Sequence, residues 1–228
     1  MKIAIIMAMS KELSLLLPLI ADIKEEITPL GQKVYTGRIA RAEVAVMQCG
    51  IGKVNAALGT AHLIDTFRPD LVINTGVAGG TGEAEVLDIV IGDRVAYHDV
   101  WCGPGTEWGD AAGCPRFFES DSRIASLPCL AEGPGIRHGL IASGDIFISR
   151  KEEVDHIKEL YPGVLAVDME SAAIAQTCYL RDVPFFVVRV VSDTPGADED
   201  NVAQYNNFWE EAPRHTFDLL KEILEEEL

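Results

Sequence analysis

Phe185-Phe186-Val187-Val188-Arg189-Val190-Val191-Ser192-Asp193 is an apolar run interrupted by one arginine. A strand with one wet face alternates apolar and polar residues, whereas a strand covered on both faces reads as a continuous apolar run. The stretch therefore predicts a strand inside a helix-covered α/β sheet, with Arg189 as its anomaly. A charge there costs several kcal/mol unless it is paired and hydrogen-bonded. Arg189 either closes a structural ion pair between strands or orients a carboxylate or a water inside a cleft.

Outward from this run, strand-length apolar segments alternate with helical ones. Residues 3–9 read as a buried strand, with Ser10 as cap of a helix carrying Leu13, Leu16 and Leu17 that Pro18 ends early. Residues 34–39 and 44–48 flank Ala40-Arg41-Ala42 as a hairpin. Residues 53–67 form an amphipathic helix, with Val54, Ala57, Leu58, Ala61 and Ile64 as its expected stripe. Residues 71–74 make a strand entering a glycine-rich turn, Thr75-Gly76-Val77-Ala78-Gly79-Gly80. Further strands are expected at 89–97, 138–143, 164–168 and 185–191, and helices near 150–160, 171–180 and 212–227. The pattern predicts one domain over residues 1–228, a three-layer α/β/α fold around a mixed, mostly parallel twisted sheet. Residues 103–115, rich in glycine and proline and close to Trp101 and Trp108, read as one long surface loop, functional or at an interface.

The chain has 228 residues, 48% hydrophobic and 24% charged, an ordinary globular mix. Its formal net charge of −17 disfavours nucleic acid and anionic membrane as partners, since both need a basic surface. Five scattered cysteines, odd in number and never spaced C-x-x-C, give no disulfide framework and no metal site. Lys11 and Glu12 break the apolar start too early for a secretion signal, and no apolar stretch is long enough to span a bilayer. The cytoplasm is the expected compartment, and neither metal nor cofactor is expected.

Ligands of open α/β sheets gather at the carboxyl ends of the strands. Those ends bring together Glu12, Glu170, Asp193, Arg189 and two glycine-rich turns. A carboxylate in that position also serves as a helix cap or dipole partner, and for Glu12 alone the second reading is the simpler one. The glycines at 76, 79 and 80 lack the G-x-G-x-x-G spacing, and no Gly-Lys-Ser/Thr follows. His98-Asp99 reads as a satisfied structural pair, because no nucleophile stands beside it.

At these positions the chain resembles the 5'-methylthioadenosine/S-adenosylhomocysteine nucleosidases of the purine and uridine phosphorylase superfamily. The likeness covers essentially the whole chain. It rests on Gly50-Ile51-Gly52-Lys53, Asn74-Thr75-Gly76-Val77-Ala78-Gly79-Gly80, Ser143-Gly144-Asp145-Ile146-Phe147-Ile148, Val167-Asp168-Met169-Glu170-Ser171-Ala172-Ala173-Ile174-Ala175 and Val188-Arg189-Val190-Val191-Ser192-Asp193. The resemblance implies a nucleoside phosphorylase-like fold and cofactor-free hydrolysis of an adenine nucleoside. Asp193 is implied as the acid acting on N7 of the base, Glu12 as the base activating water, and Ser192 as a further substrate-binding residue. Glu170 is implied to receive the ribose hydroxyls, and Arg189 to hold carboxylates and water in register. For the substrate, the resemblance implies Phe147 stacking on adenine, the Ile148 backbone reading its edge, and Met169 against the ribose. Ala78, Gly79 and Val167 join this wall. Met9 and Ile51 form the 5'-alkylthio slot, closed by Tyr205 or Phe208.

Three departures from the family pattern stand out: Val77 where many members carry serine, Asp168 in place of a glutamate, and the sequence of residues 100–115. The resemblance implies a homodimer with residues 100–115 near the interface. A phosphorylase of the same fold is disfavoured because Glu12 lies where a phosphate dianion would sit. A nonenzymatic nucleoside sensor is disfavoured because binding adenine needs no water-activating base. Methylthioadenosine, adenosylhomocysteine, 5'-deoxyadenosine and futalosine-type nucleosides stay unranked as substrates.

Overall fold

Strand and helix alternate along the chain as the apolar pattern requires. The computed structural model describes residues 1–29, 31–131, 133–197, 201–211 and 215–225. The first half comprises β1 (Lys2–Met7), α1 (Ser10–Leu16), β2 (Ala21–Ile27), β3 (Lys33–Ile39), β4 (Ala42–Gln48), α2 (Lys53–Phe67), β5 (Leu71–Gly80) and β6 (Ile89–Tyr97). The second comprises β7 (Phe118–Glu119), α3 (Ser122–Ala125), β8 (Ile136–Ser143), α4 (Lys151–Leu160), β9 (Val164–Asp168), α5 (Ser171–Leu180), β10 (Phe185–Asp193), α6 (Asn201–Glu211) and α7 (His215–Glu225).

All nine residues of β10 are buried, as a strand covered on both faces demands. Phe185, Val187 and Val191 pack with α2 and α5 residues such as Leu63 and Ile174, while Phe186 and Val188 meet Leu16 of α1 and Leu220 of α7. Those two clusters make the outer layers. Val154 and Ile157 of α4 close a third against β8 and β9.

The sheet is mixed. β1 pairs in parallel with β4 and β5, and β5 in parallel with β10. β8 runs parallel to both β6 and β9, whereas β10–β6, β5–β9 and the β2–β3–β4 meander are antiparallel. Because β5 contacts both β9 and β10, the strands β10-β6-β8-β9-β5 close into a ring from which β1, β4, β3 and β2 extend.

Several local expectations need correction. The glycine-rich segment 75–80 is no turn: it continues β5, pairing with β10 up to Gly79 and with β9 at Gly79 and Gly80. Ser10 does not cap α1. Met9 holds that position, its N–H donating to Glu12 Oε2 at 2.8 Å, and Ser10 is the first helical residue. On α2 the expected stripe is rotated: of its members Ile64 is buried, Ala57 and Ala61 are half-buried and Val54 and Leu58 are exposed, while Ala56, Gly59, Thr60 and Leu63 fill the inner face. Small residues serve the inner face because a Cβ at Gly59 would meet Cys49 Cβ at 2.9 Å and Ile6 Cδ1 at 3.2 Å. The final helix runs over His215–Glu225, and the rest of the expected 212–227 lies outside the described residues. Neither β2, an exposed and charged edge strand, nor α6 was expected from the pattern.

Candidate active site

A cavity of about 410 Å³ opens where β1, β5, β9 and β10 end, within the size range of small-ligand pockets. Met9 and Glu12 reach it from the start of α1, Ala78 and Gly79 from β5, and Ile51 from the loop before α2. Phe147 and Ile148 follow β8, Val167, Met169 and Glu170 bracket the end of β9, Ser192 and Asp193 end β10, and Tyr205 comes from α6. Ala8, Val77, Ile146, Asp168 and Asn206 complete the wall. The sequence reading left Ala8, Ile146 and Asn206 unassigned, and only their adjacency to assigned residues could have marked them.

Two assigned residues lie elsewhere. Phe208 is buried against Val190 and Trp209 behind the wall, so of the two aromatics proposed to close the slot only Tyr205 faces it. Tyr205 donates its hydroxyl to Met9 Sδ at 3.0 Å and stands edge-on to Phe147 with ring centroids 6.4 Å apart. Arg189 does not line the cavity either. It is fully enclosed behind it, and no water-orienting contact follows from its position.

What Arg189 does instead is explicit. Its Nε donates to Asp168 Oδ2 at 2.8 Å, and its Nη2 donates to Asn74 Oδ1 at 2.8 Å and Ser171 Oγ at 3.0 Å. Glu170 Oε2 lies 3.9 Å from Nη2. Asp168 also accepts from the hydroxyls of Ser143 and Ser171. Burial pushes the Asp168 carboxyl up, but the Arg189 charge and these hydroxyl donors outweigh it and hold the group below its ordinary value. The buried charges thereby meet partners, as a dry interior requires.

Glu12 is buried, with Oε2 accepting from Met9 N–H and Oε1 from Val77 N–H at 3.2 Å. Burial raises its pKa against the lowering influence of Arg189 and of these backbone donors. Gly76 makes the arrangement possible. A Cβ there would collide with Glu12 Oε1 and sit 2.6 Å from Arg189 Nη1, at a φ of 149° that side-chain-bearing residues avoid.

Glu170 accepts from Gly52 N–H at 2.9 Å through Oε1. Burial, then the Asp168 charge, push its pKa up to about 7. Asp193 Oδ1 accepts from Ser192 Oγ at 2.6 Å. The pairing of β10 with β5 slips between Val191 and Asp193, a bulge that re-aims the strand end toward the cavity. Val77, which holds Glu12, and Gly79, which pairs with Asp193, are two residues apart on β5, ~7 Å of strand. Glu12 and Asp193 therefore share one cavity, with Glu170 on its wall.

The His98–Asp99 pairing is corrected. Asp99 accepts from Lys53 Nζ at 2.8 Å and from Asp145 N–H at 2.8 Å, while His98 Nε2 is buried with no hydrogen-bond partner among the described residues. Burial lowers the His98 pKa, which keeps the ring neutral against Gly144. Among the described residues no cluster of three or more His, Cys, Asp or Glu is arranged to hold a metal ion. Among the same residues no helix is long and apolar enough to cross a membrane.

The model of the phosphorylase superfamily matches residues 2–225. A 5'-methylthioadenosine/S-adenosylhomocysteine nucleosidase of Hydrogenovibrio crunogenus is 41% identical over 231 aligned positions, covering 98% of both chains. The structure of the S. pneumoniae nucleosidase of that name with a transition-state inhibitor, MT-ImmA, superposes with a TM-score of 0.93 at 38% identity, covering 99% of both chains. The nucleosidase of Colwellia psychrerythraea in complex with adenine gives 0.89 at 35% identity, covering 98% of this chain and 94% of that one. The chain belongs to the phosphorylase superfamily and, within it, to the 5'-methylthioadenosine/S-adenosylhomocysteine nucleosidases.

Proposed function

We infer that residues 1–228 act as one domain that hydrolyses the N-glycosidic bond of 5'-methylthioadenosine and S-adenosylhomocysteine, releasing adenine and the 5-thio-substituted ribose. The observation that carries this reading is the convergence of Glu12 and Asp193 on a single apolar-walled cavity with Glu170 beside them. Asp193 gives a proton to N7 so that adenine leaves neutral. Glu12 takes a proton from the water that attacks C1'. Glu170 accepts hydrogen bonds from the ribose hydroxyls and supports the cationic sugar, a division of labour also used by glycosidases. Phe147 stacks on the base, the Ile148 backbone reads its edge, and Arg189 acts at one remove by fixing Asp168 and Glu170.

Water rather than phosphate is favoured because no Lys, Arg or His lines the cavity among the described residues, and buried Glu12 repels a dianion. The test is adenine release in phosphate-free buffer with the freed sugar analysed. Full activity with a free reducing sugar is expected, and a strict phosphate requirement yielding a sugar 1-phosphate overturns the reading.

The pH dependence follows from the raised carboxyls. Below about 7 the free protein carries a proton on Glu170, and burial makes Glu12 too easier to protonate than an ordinary glutamate. Both act here as carboxylates, so kcat/KM should rise with pH through about 7. A profile that is flat across that region contradicts the assignment. For Gly76→Ala the expected loss is about tenfold in turnover, below the ~100-fold that a full 1 Å misplacement costs. Unchanged adenine release from a folded Gly76→Ala protein shows that the contact with Glu12 is unimportant.

A homodimer accounts for the outer face of α2. Val54 and Leu58 are exposed there, and the Lys53–Asp99 ion pair sets this face beside exposed Trp101 and Trp108, which stack at 6.1 Å between ring centroids. Residues 100–115 then lie near the interface. The dimer and the cytoplasm as its compartment are part of this proposal. Sedimentation of wild type and Leu58→Lys tests the first, the expected outcome being a dimer that the substitution splits.

A further inference from the structure

Glu170 accepts a hydrogen bond through Oε1, and the donor is not part of the sheet. It is Gly52 N–H, at the start of α2, where the backbone has a φ of 96°. Gly52 is in turn held by a charged clamp outside the cavity. Lys53 N–H donates to Asp145 Oδ1 at 2.7 Å, and Lys53 Nζ lies 4.0 Å from Asp145 Oδ2. Asp99 closes the clamp, accepting Lys53 Nζ on both carboxylate oxygens, at 2.9 and 2.8 Å, and Asp145 N–H at 2.8 Å. The packing leaves no slack: a Cβ on Gly52 would meet Asp145 Oδ1 at 3.0 Å, and one on Gly144 would meet Asp99 Cγ at 2.8 Å.

We propose that Asp99 is a positioning residue for Glu170, acting through Lys53 and Asp145 to fix the Gly52 N–H that orients the carboxylate. The same clamp anchors residues 144–147, and so delivers Phe147 to the rim. The physical need is plain. Asp168 and Glu12 both repel Glu170, and burial opposes its charge, so a mislaid Gly52 leaves the carboxylate free to protonate or turn away. Asp145 is half exposed, but the Lys53–Asp99 pair at the heart of the clamp is mostly enclosed, with 24% of Lys53 and 15% of Asp99 exposed, which limits its screening compared with a surface ion pair.

This inference rests on the reading of Glu170 as the ribose-hydroxyl acceptor, and the experiment separates the two. The readout is the ratio of kcat/KM for 5'-methylthioadenosine to that for its 3'-deoxy analogue. A general loss of structure lowers both values and leaves the ratio unchanged. Asp99→Ala should lower the ratio by about tenfold, the worth of one charge-assisted hydrogen bond. Asp99→Asn, which keeps an acceptor for Asp145 N–H, should lower it by less and serves where the alanine variant does not fold. Asp65→Ala, which breaks the exposed Arg181–Asp65 pair, should leave the ratio intact. If Glu170→Gln lowers the ratio but neither Asp99 variant does, the Asp99 proposal is wrong and the Glu170 reading survives. If Glu170→Gln itself leaves the ratio unchanged, the ribose role fails and the Asp99 proposal falls with it.

Discussion

Replacing Arg189 by methionine should lower the unfolding free energy by about 3–5 kcal/mol near neutral pH, because it leaves the buried Asp168 carboxylate without its counter-charge. Methionine fills similar length but donates nothing, so Asn74 Oδ1 and Ser171 Oγ lose a shared donor as well. The pH dependence distinguishes this cause from a simple packing defect. In the wild type, Asp168 is held below its ordinary value of 3.8. That contribution is present above 3.8 and fades as pH falls through the lower folded value. The gap between wild type and Arg189→Met should therefore narrow in acid, where Asp168 is protonated in both. Urea midpoints at a series of pH values measure it, with unchanged m-values certifying the comparison. A pH-independent gap, or one under about 1 kcal/mol, sets the ion-pair explanation aside.

The second large effect is catalytic. Glu12→Gln and Asp193→Asn should each cost at least ~100-fold in adenine release, the usual worth of a positioned acid or base. The two losses differ in kind. In Glu12→Gln the amide keeps one oxygen to accept from Val77 N–H or Met9 N–H, so substrate binding should persist while water activation is lost. In Asp193→Asn no proton can be delivered to N7, and a substrate whose base departs without protonation should recover most of the rate. Folded variants of both kinds turning over near the wild-type rate would falsify the assignment.

Much of the fold was legible in local pattern. The strands at 89–97 and 164–168 and the helices at 53–67 and 171–180 coincide with the observed elements, because each carries a strong apolar run bounded by breakers. The failures share a cause. Glycines at 76, 79 and 80 looked like a turn, yet they keep β5 narrow where the side chains of Glu12, Arg189, Pro195 and Val191 press against it, a tertiary demand that propensity does not encode. On α2 Val54 and Leu58 point outward while Ala56, Gly59 and Thr60 join Leu63 and Ile64 on the inner face, so the buried face is rotated from the expected stripe. α6 has too few regularly spaced apolar residues to announce itself, although it carries Tyr205.

The site divided similarly. Strand ends nominated Glu12, Glu170 and Asp193, since carboxylates closing apolar runs are rare enough to stand out. Arg189 was noticed for the same reason, but its enclosure behind the wall depends on Asp168, Asn74 and Ser171, contributed by three separate elements. The bulge that turns Asp193 and the distant tie from Asp99 to Glu170 are register and loop contacts with no local signature.

The ring of five strands also bears on how such a protein can diversify. β5 is stitched to neighbours on both sides, so drift in the catalytic floor is penalised everywhere at once. Ile51, Ile146 and Phe147 at the mouth are half open to solvent and lie outside the strands. Selection is thus free to re-tailor which 5' tail is admitted while inheriting the proton chemistry unaltered, and lineages should vary at that mouth long before they vary beneath it.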